Sequence, residues 1–179
     1  MKVILISGKA QHGKDTSANI MQDRLISDGK RVLSIHYADL LKHICRHYFQ
    51  WNGLKDVEGR KLLQRVGTDV IRKENPDFWV DFIITILSMF KDEWDFVIIP
   101  DCRFPNEIEK MREKFDTVYL RVNREGFDNG LTKSQKNHPS ETSLDKYPYD
   151  YEIVNKGEIE NLIEEVNKCV EVFVYDGGK

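Results

Sequence analysis

The chain has 179 residues, of which 40% are hydrophobic and 32% are charged, and its formal net charge is −3. At about 100 to 200 residues per domain, this length predicts one domain over residues 1–179 and excludes a multidomain assembly. The composition argues against a disordered chain. It also argues against coating of a nucleic-acid polymer, because that requires a basic surface, although a local basic pocket stays open.

The N-terminal sequence and the most apolar segment predict neither a secretory leader nor a membrane span. The first apolar run, residues 3–6, is shorter than the core of about 7 to 15 residues that a signal peptide requires. Residues 79–90 are the most apolar, but they include Asp81, Thr85 and Ser88, and a span requires about 20 apolar residues. We therefore expect a cytoplasmic protein without a membrane partner.

The three cysteines lie far apart and form no Cys-x-x-Cys pair; they are Cys45, Cys102 and Cys169. Their spacing and odd number indicate neither a disulfide framework nor a zinc site. We expect reduced thiols that are mostly packed in the interior.

The predicted elements alternate between strands and helices, beginning with an apolar, β-branched strand that ends at Gly8. Strands are expected at residues 2–7, 31–37, 95–100, 116–122 and 151–155. Helices are expected at residues 14–26, 40–49, 59–73, 105–114 and 158–172. A further helix is capped by Asn75 and Pro76 and runs to about residue 93. This helix is apolar nearly all round, so we expect it to be buried.

The runs 95–100 and 116–122 show no alternation of polar and apolar residues. Such runs are typical of parallel strands that helices cover on both faces, which predicts an α/β fold. Residues 123–150 connect the last two strands and exceed the usual connection of about 2 to 6 residues. This segment is expected to be either disordered or a functional lid.

The strongest motif is Gly8-Lys9-Ala10-Gln11-His12-Gly13-Lys14, which matches Gly-x-x-x-x-Gly-Lys between the first strand and the first helix. Glycines allow backbone N–H groups to surround a polyphosphate, and the helix N-terminus carries partial positive charge. Lys14, expected to be an exposed loop residue, would bridge the terminal phosphates. The alternative is a glycine-rich turn with an incidental lysine.

Two carboxylates are candidate Mg²⁺ ligands. Asp15 stands where the motif usually has Ser or Thr, and Thr16 comes one position late. Asp15 can hold Mg²⁺ directly or through water, while Thr16 can reach the α-phosphate. Asp101 follows strand 95–100 at the edge where such sheets place a metal-binding Asp; the alternative is a turn or helix-cap residue.

Arg103 and Asp39 are candidates for phosphate and acceptor chemistry. Arg103 can clamp a phosphate through its planar fork, or form a surface ion pair. Asp39 follows the second strand and can orient or deprotonate an acceptor, or cap a helix. His43 and His47 share one helix face without a third ligand at metal spacing, so an exposed surface is favoured over zinc.

Two further polar groups have two interpretations each. The stripe on helix 59–73 would, on its own, be the solvated face of that helix; it consists of Gln64, Gly67, Thr68 and Arg72. Cations in segment 123–150 are either solvated or close over the reaction and neutralise transferring charge. They are Arg124, Lys133, Lys136 and His138.

Four blocks together resemble one family. They are Gly8-Lys9-Ala10-Gln11-His12-Gly13-Lys14-Asp15-Thr16, Tyr37-Ala38-Asp39-Leu40-Leu41-Lys42, Leu62-Leu63-Gln64-Arg65-Val66-Gly67-Thr68 and Ile99-Pro100-Asp101-Cys102-Arg103-Phe104-Pro105-Asn106-Glu107. The family is that of the bacteriophage-type deoxynucleoside monophosphate kinases, within the P-loop nucleoside monophosphate kinase group. Two shorter landmarks agree with it, His138-Pro139-Ser140-Glu141 and Asn155-Lys156-Gly157.

The resemblance implies a three-layer P-loop NTPase sandwich with a five-stranded parallel sheet, an acceptor-binding helical region at about 38–94 and a lid at about 123–150. It implies ATP and Mg²⁺ as cofactors, with Asp15 and Asp101 at the metal. The ATP-binding residues would be Gly8, Gln11, His12, Gly13, Lys14, Asp15 and Thr16, with Asn155 and Gly157 near the adenine. The acceptor would be held near Asp39, Lys42, Gln64, Arg72, Trp79, Arg103 and Glu141. The catalytic residues would be Lys14, Asp39, Arg103 and Arg124.

The expected activity is transfer of the ATP γ-phosphoryl group to a deoxynucleoside 5′-monophosphate. Phosphomevalonate kinases share a similar P-loop and Asp-x-Arg block, so another small phosphorylated acceptor stays open. A GTP- or ATP-binding switch is a third alternative, because Asn155-Lys156-Gly157-Glu158 partly matches a guanine-binding motif. The expected partners are small nucleotides, and a homodimer stays open.

Overall fold

The structure is a computed structural model that describes residues 1–175, and it follows the predicted alternation of strands and helices. The five strands are β1 (Lys2–Ser7), β2 (Val32–Ser34), β3 (Phe96–Ile99), β4 (Asp116–Asn123) and β5 (Tyr151–Val154). The longer helices are α1 (Lys14–Ser27), α2 (Ala38–Tyr48), α3 (Val57–Gln64), α4 (Phe78–Met89), α5 (Pro105–Lys114) and α8 (Ile159–Cys169). Two short helices, α6 (Lys133–Lys136) and α7 (Pro139–Thr142), lie in segment 123–150.

The strands form one parallel sheet in the order β2-β3-β1-β4-β5. β1 is central, and Leu5 is in register with Ile99 of β3 and with Tyr119 of β4. The five predicted strands are confirmed, although β2 is shorter than expected. Because all strands are parallel, their carboxyl ends lie along one edge, where α/β sheets bind ligands.

Alternating side chains of β1 build the core on both faces of the sheet. Ile4 and Ile6 belong to the cluster formed with α1 and α8, while Val3 and Leu5 belong to the cluster formed with α4 and α5. All four side chains are fully buried. A strand that is apolar on both faces requires helices on both sides, so the three-layer α/β architecture is confirmed.

The expectation that the 76–93 helix is buried all round is wrong. α4 buries one face, including Val80, Ile83 and Leu87, against the sheet. Its other face is open, with Phe82 39% and Met89 70% exposed. An apolar sequence does not specify how much of a helix's perimeter its neighbours cover.

The predicted helix 59–73 is divided in two. α3 ends at Gln64 and continues into a π-helical segment, Arg65–Arg72. The carbonyl oxygen of Gly67 in this segment accepts a hydrogen bond from Trp79 Nε1 at 3.0 Å. A side chain that takes a helix carbonyl competes with the regular backbone ladder, and π-helical turns are frequent at functional sites.

Three further features are the cysteines, the apolar character of the helices and the contacts of segment 123–150. Cys45, Cys102 and Cys169 are buried free thiols, as predicted. In residues 1–175, no helix combines the length and the apolar character that crossing a bilayer requires. Segment 123–150 carries α6 and α7 and contacts the glycine-rich loop, since Ala10 N donates to Glu141 Oε2 at 3.1 Å.

Candidate active site

A cavity of about 410 Å³ opens at the carboxyl edge of the sheet. It lies between the glycine-rich loop, the start of α2, the α3 and π-helical region, α4, the loop after β3 and segment 123–150. The predicted site residues that line it are Gln11, Lys14, Asp15, Lys42, Gln64, Arg72, Trp79, Asp101, Arg103 and Glu141. The fold therefore gathers most of the predicted residues around one space.

The glycine-rich loop turns tightly because two positions lack a Cβ. Gly13, directly before α1, has φ +101°, and a Cβ there would lie 2.7 Å from Asn155 Nδ2. At Gly8 a Cβ would overlap the carbonyl oxygen of Val122. Gly13 offers no side chain to cap α1, so the first backbone N–H groups of this helix are left for another acceptor.

Lys14 is buried rather than exposed, which corrects the expectation from the sequence. It is 8% exposed, and its Nζ donates to Gly8 O at 2.8 Å and to Lys9 O at 2.7 Å. Burial, together with the nearby Arg103 charge, lowers the pKa of Lys14 to about 8. The loop therefore holds one cation at its centre, with its charge only partly stabilised by carbonyl oxygens.

Asp101 has the capping role that the sequence left open, and its assignment to Mg²⁺ stays a prediction. Its Oδ1 and Oδ2 accept hydrogen bonds from Tyr37 N and Ala38 N, both at 2.9 Å, so it caps the start of α2. It also lines the cavity, as does Asp15. Asp15 Oδ1 lies 3.4 Å from His36 Nε2, and this hydrogen bond raises the pKa of His36 and lowers that of Asp15. Two carboxylates therefore face the cavity from α1 and β3.

Asp39 lies beside the cavity rather than in its wall. Asp39 Oδ2 accepts from His36 N at 3.0 Å, and Oδ1 accepts from Lys42 Nζ at 2.9 Å. The side chain of Lys42 does line the cavity. Asp39 thus orients Lys42, and its predicted catalytic role stays a prediction.

Arg103 connects the loop after β3 with segment 123–150. Its Nη1 donates to Ser140 O at 2.9 Å and forms an ion pair with Glu141. The Glu141 carboxylate also accepts the Ala10 N–H of the glycine-rich loop. Glu141 therefore bridges the glycine-rich loop and the loop after β3.

Glu107 is a residue that the sequence analysis missed as part of the site. It is 1% exposed, and it pairs with Arg72 Nη2 at 2.6 Å while accepting from Arg103 N at 2.7 Å and Phe104 N at 3.0 Å. Arg72 Nη1 donates to Pro76 O at 2.9 Å, and its guanidinium lies 3.9 Å above the Phe104 ring. The available signal was a Glu three residues after the N-cap position of a Pro-initiated helix, where a capping residue is expected.

The polar stripe on helix 59–73 faces the cavity, so its interpretation as a solvated face is wrong. Gln64, Gly67, Thr68 and Arg72 all line the cavity. Trp79, which is 3% exposed, closes this wall through its bond to Gly67 O. The stripe is a cavity wall because segment 123–150 and the loop after β3 cover it.

A second group of predicted residues lies outside the cavity lining. Arg124 N donates to His12 Nδ1 at 3.0 Å, and Asn155 Nδ2 donates to His12 O at 2.9 Å. Gly157 N donates to Asn155 Oδ1 at 2.9 Å, and the Arg124 guanidinium lies 4.2 Å from the Phe127 ring. These residues flank the glycine-rich loop on the side of β4 and β5. The three remaining predicted residues are Gly8 and Gly13 within the loop and the exposed Thr16 in the first turn of α1.

The cations of segment 123–150 do not converge on the cavity, contrary to one interpretation of the sequence. Lys136 pairs with Asp128 at 2.8 Å, and His138 Nε2 lies 3.6 Å from Asp69. The residues of this segment that line the cavity are Leu131, Gln135, Ser140 and Glu141. Further lining residues that the sequence analysis did not select are His36, Tyr37, Lys55, Arg60 and Phe104.

Comparison with known families agrees with this arrangement. Residues 26–166 match the family model described as deoxynucleotide monophosphate kinase. This match covers most of the chain and includes α2 to α7, most of α8 and four of the five strands.

Two relatives in sequence are viral proteins. A deoxynucleoside-5′-monophosphate kinase of Escherichia phage T5 is 37% identical over 118 residues, which are 63% of this chain and 46% of the phage protein. A protein of Acanthamoeba polyphaga mimivirus is 27% identical over 201 residues, covering 96% of this chain and 97% of the viral one. The chain thus spans about half the length of the phage relative.

One similar solved structure is the APS kinase of Mycobacterium tuberculosis in complex with AMPPNP and APS. It aligns with a TM-score of 0.54 at 13% identity and covers 95% of this chain and 97% of that chain. At this identity the likeness shows the fold alone. It confirms the expected P-loop kinase sandwich.

Proposed function

Because the chain belongs to the deoxynucleotide monophosphate kinase family, we propose that it transfers the γ-phosphoryl group of ATP to a deoxynucleoside 5′-monophosphate in the cytoplasm. The observation that carries this proposal is a single cavity with Lys14 in one wall and the α2 to α4 region in the other. A transferase needs both substrates in one space, so that a bimolecular step proceeds in a fixed geometry.

The glycine-rich loop has the features that a polyphosphate requires. A Cβ at Gly8 or Gly13 would collide with neighbouring atoms, and the N-terminus of α1 lacks a side-chain cap. The Lys14 ammonium contributes a charge beside these backbone groups. We assign the ATP phosphates to this loop, with the adenine toward Asn155 and Gly157.

Asp15 and Asp101 are assigned to Mg²⁺, which supplies charge neutralisation on the donor phosphates when bound. Both are cavity-lining carboxylates, and Mg²⁺ usually takes one or two carboxylates and keeps several waters.

The acceptor is assigned to the opposite wall. Lys42 and Gln64 supply polar groups there, and Trp79 with Phe104 supplies aromatic surface. Arg72 is fixed against Phe104 by Glu107, so it contributes a rigid wall. The acceptor phosphate then lies near Arg103, which is held at the cavity by Ser140 and Glu141.

Electrostatics and positioning carry the chemistry in this proposal. An acceptor phosphate oxygen is already ionised at neutral pH, so no strong general base is required. Lys14 and Arg103 neutralise the charge on the transferring group, and Asp39 keeps Lys42 in place for the acceptor.

The guanine-switch alternative is disfavoured by the bonding of Asn155. Its Nδ2 donates to His12 O and its Oδ1 accepts from Gly157 N. One N–H and one oxygen lone pair of the amide are therefore used within the protein, and Asn155 is only 7% exposed, which limits its access to a guanine edge.

The proposal is tested by measuring ADP release with ATP and each deoxy- and ribonucleoside monophosphate, with phosphomevalonate as an additional acceptor and GTP as an alternative donor. We expect release that depends on a deoxynucleoside monophosphate. Release that depends only on phosphomevalonate would move the acceptor to another class, and nucleotide hydrolysis independent of any acceptor would favour a switch.

A further inference from the structure

Gln135, in the short helix α6, is a buried polar residue with no role in the proposed function so far. It is 6% exposed and lines the cavity. Its main-chain N–H donates to Thr132 Oγ1 at 3.3 Å, and its Oε1 accepts from Thr132 N at 3.1 Å. Because a backbone N–H can only donate, this reciprocal capping box fixes which end of the amide is the oxygen.

The other end of the same amide has no partner. Within residues 1–175, Gln135 Nε2 is buried and makes no hydrogen bond. Buried polar groups in folded proteins almost always find a partner, and an unpaired donor is costly. The orphan group is thus a donor, and it belongs to a residue that lines a substrate-sized space.

The surroundings indicate what kind of acceptor atom would complete this bond. Gln135 is uncharged, and the cavity that it lines also has apolar side chains in its wall, among them Leu131, Leu63 and Trp79. Cations line the same cavity, including Arg103 and Lys14. A neutral donor suits a heterocycle with ring nitrogens or oxo groups better than a phosphate dianion, for which these cations are available.

We propose that Gln135 Nε2 donates a hydrogen bond to the nucleobase of the acceptor monophosphate. This inference rests on the proposed function and extends it from the phosphate to the base. It makes segment 123–150 part of the acceptor site, because the base completes a bond that the protein leaves open. An acceptor without a base cannot satisfy Gln135.

Two substitutions separate the donor from the rest of the residue. Gln135→Glu keeps an oxygen for Thr132 N, since Glu also forms a capping box, but it removes the donor. Gln135→Met keeps a similar size and adds no charge. Ser134→Ala, at an exposed position of the same helix, is the matched control. Thermal unfolding establishes that each variant is folded.

The experiment measures kcat/KM for the four deoxynucleoside monophosphates, KM for ATP, and inhibition by 2-deoxyribose 5-phosphate, which lacks a base. We expect both Gln135 variants to lose about tenfold or more in kcat/KM for the acceptor. Neither variant can donate the hydrogen bond, so the acceptor atom of the base would be left unpaired in the site. KM for ATP and the inhibition constant of 2-deoxyribose 5-phosphate should remain within about twofold of the unsubstituted protein, and so should all values for Ser134→Ala.

Two results would overturn the inference while leaving the proposed function intact. One is unchanged acceptor kinetics in both Gln135 variants. The other is an equal loss for 2-deoxyribose 5-phosphate, which would place the contact on the sugar or phosphate. If the unsubstituted protein phosphorylates no deoxynucleoside monophosphate, the proposed function itself fails, and the inference fails with it.

Discussion

Lys14 connects a local structural feature with a pH dependence. Its burial lowers its pKa to about 8, so the ammonium of the free protein is lost as the pH rises through that value. The charge is needed to bind and neutralise phosphates. We therefore predict that kcat/KM for ATP falls on the alkaline side with an apparent pKa near 8, since kcat/KM titrates groups of the free enzyme.

The Lys14 titration would not itself unfold the protein, because its linkage to stability has the opposite sign. Above about pH 8 the folded protein has released the Lys14 proton, while the unfolded chain retains it until a higher pH, so this group increases stability across that window. A kcat/KM for ATP that stays constant from pH 7 to about pH 9.5 would contradict the assignment of Lys14.

Arg103 is the residue for which charge and geometry can be separated. Its Nη1 contacts both Ser140 O and Glu141. In the proposed function the planar guanidinium also clamps a phosphate at two points, which a single ammonium group reproduces poorly. We predict that Arg103→Lys lowers kcat/KM for the acceptor by about tenfold or more while changing the unfolding free energy by less than about 0.5 kcal/mol. Steady-state kinetics and urea denaturation measure the two effects, and unchanged kinetics would assign Arg103 to structure.

At the scale of elements, Glu107 ties the start of α5 to the π-helical segment through Arg72. It is almost fully buried, and it accepts two backbone N–H bonds besides its ion pair. Removing one member of a buried pair leaves the other uncompensated, so we predict that Glu107→Ala lowers the unfolding free energy by about 3 to 5 kcal/mol. Glu109→Ala, on the exposed side of the same helix, is the control. Equal stability of the two variants would show that the pair is not a structural tie.

Segment 123–150 is expected to behave as a lid. Its contacts with the glycine-rich loop run through Glu141 and through Asp145, which pairs with Lys9. We predict that a bisubstrate analogue, two nucleosides joined by a polyphosphate, slows hydrogen exchange between Gly126 and Asp145 more than ATP alone does. Equal exchange with and without the analogue, while residues 8–14 become protected, would identify the segment as a passive insertion.

The elements that the sequence predicts well are those with local causes. Examples are the β-branched run of β1, the glycines before α1 and the Pro at the start of α5. Each of these patterns favours the conformation of residues that lie next to it in the sequence. The π-helical segment was missed; one of its carbonyl groups, Gly67 O, accepts a bond from Trp79, seven residues beyond its end, and the local helical periodicity does not encode such a contact. The exposed face of α4 was missed because coverage by other elements is not encoded in its own periodicity.

At the scale of the whole molecule, the parallel sheet explains why the site could be predicted in outline. Residues that follow β1, β2 and β3 must meet at one edge, which places Lys14, Asp39 and Asp101 in one region. The orientation of segment 123–150 is set by long-range pairs such as Arg103 with Glu141. For that reason the cavity position of Gln135 and the pairing of Glu107 with Arg72 became visible only in the folded structure.

The proposed function requires that the protein transfers a phosphoryl group between two nucleotides bound in this cavity. The most direct measurement incubates the protein with ATP labelled in its γ-phosphate and a deoxynucleoside monophosphate, with Lys14→Met as the control. We predict that the label appears in the β-phosphate of the deoxynucleoside diphosphate, and that Lys14→Met slows this transfer by about 100-fold or more. Label released as inorganic phosphate at the same rate with and without the monophosphate would contradict the claim.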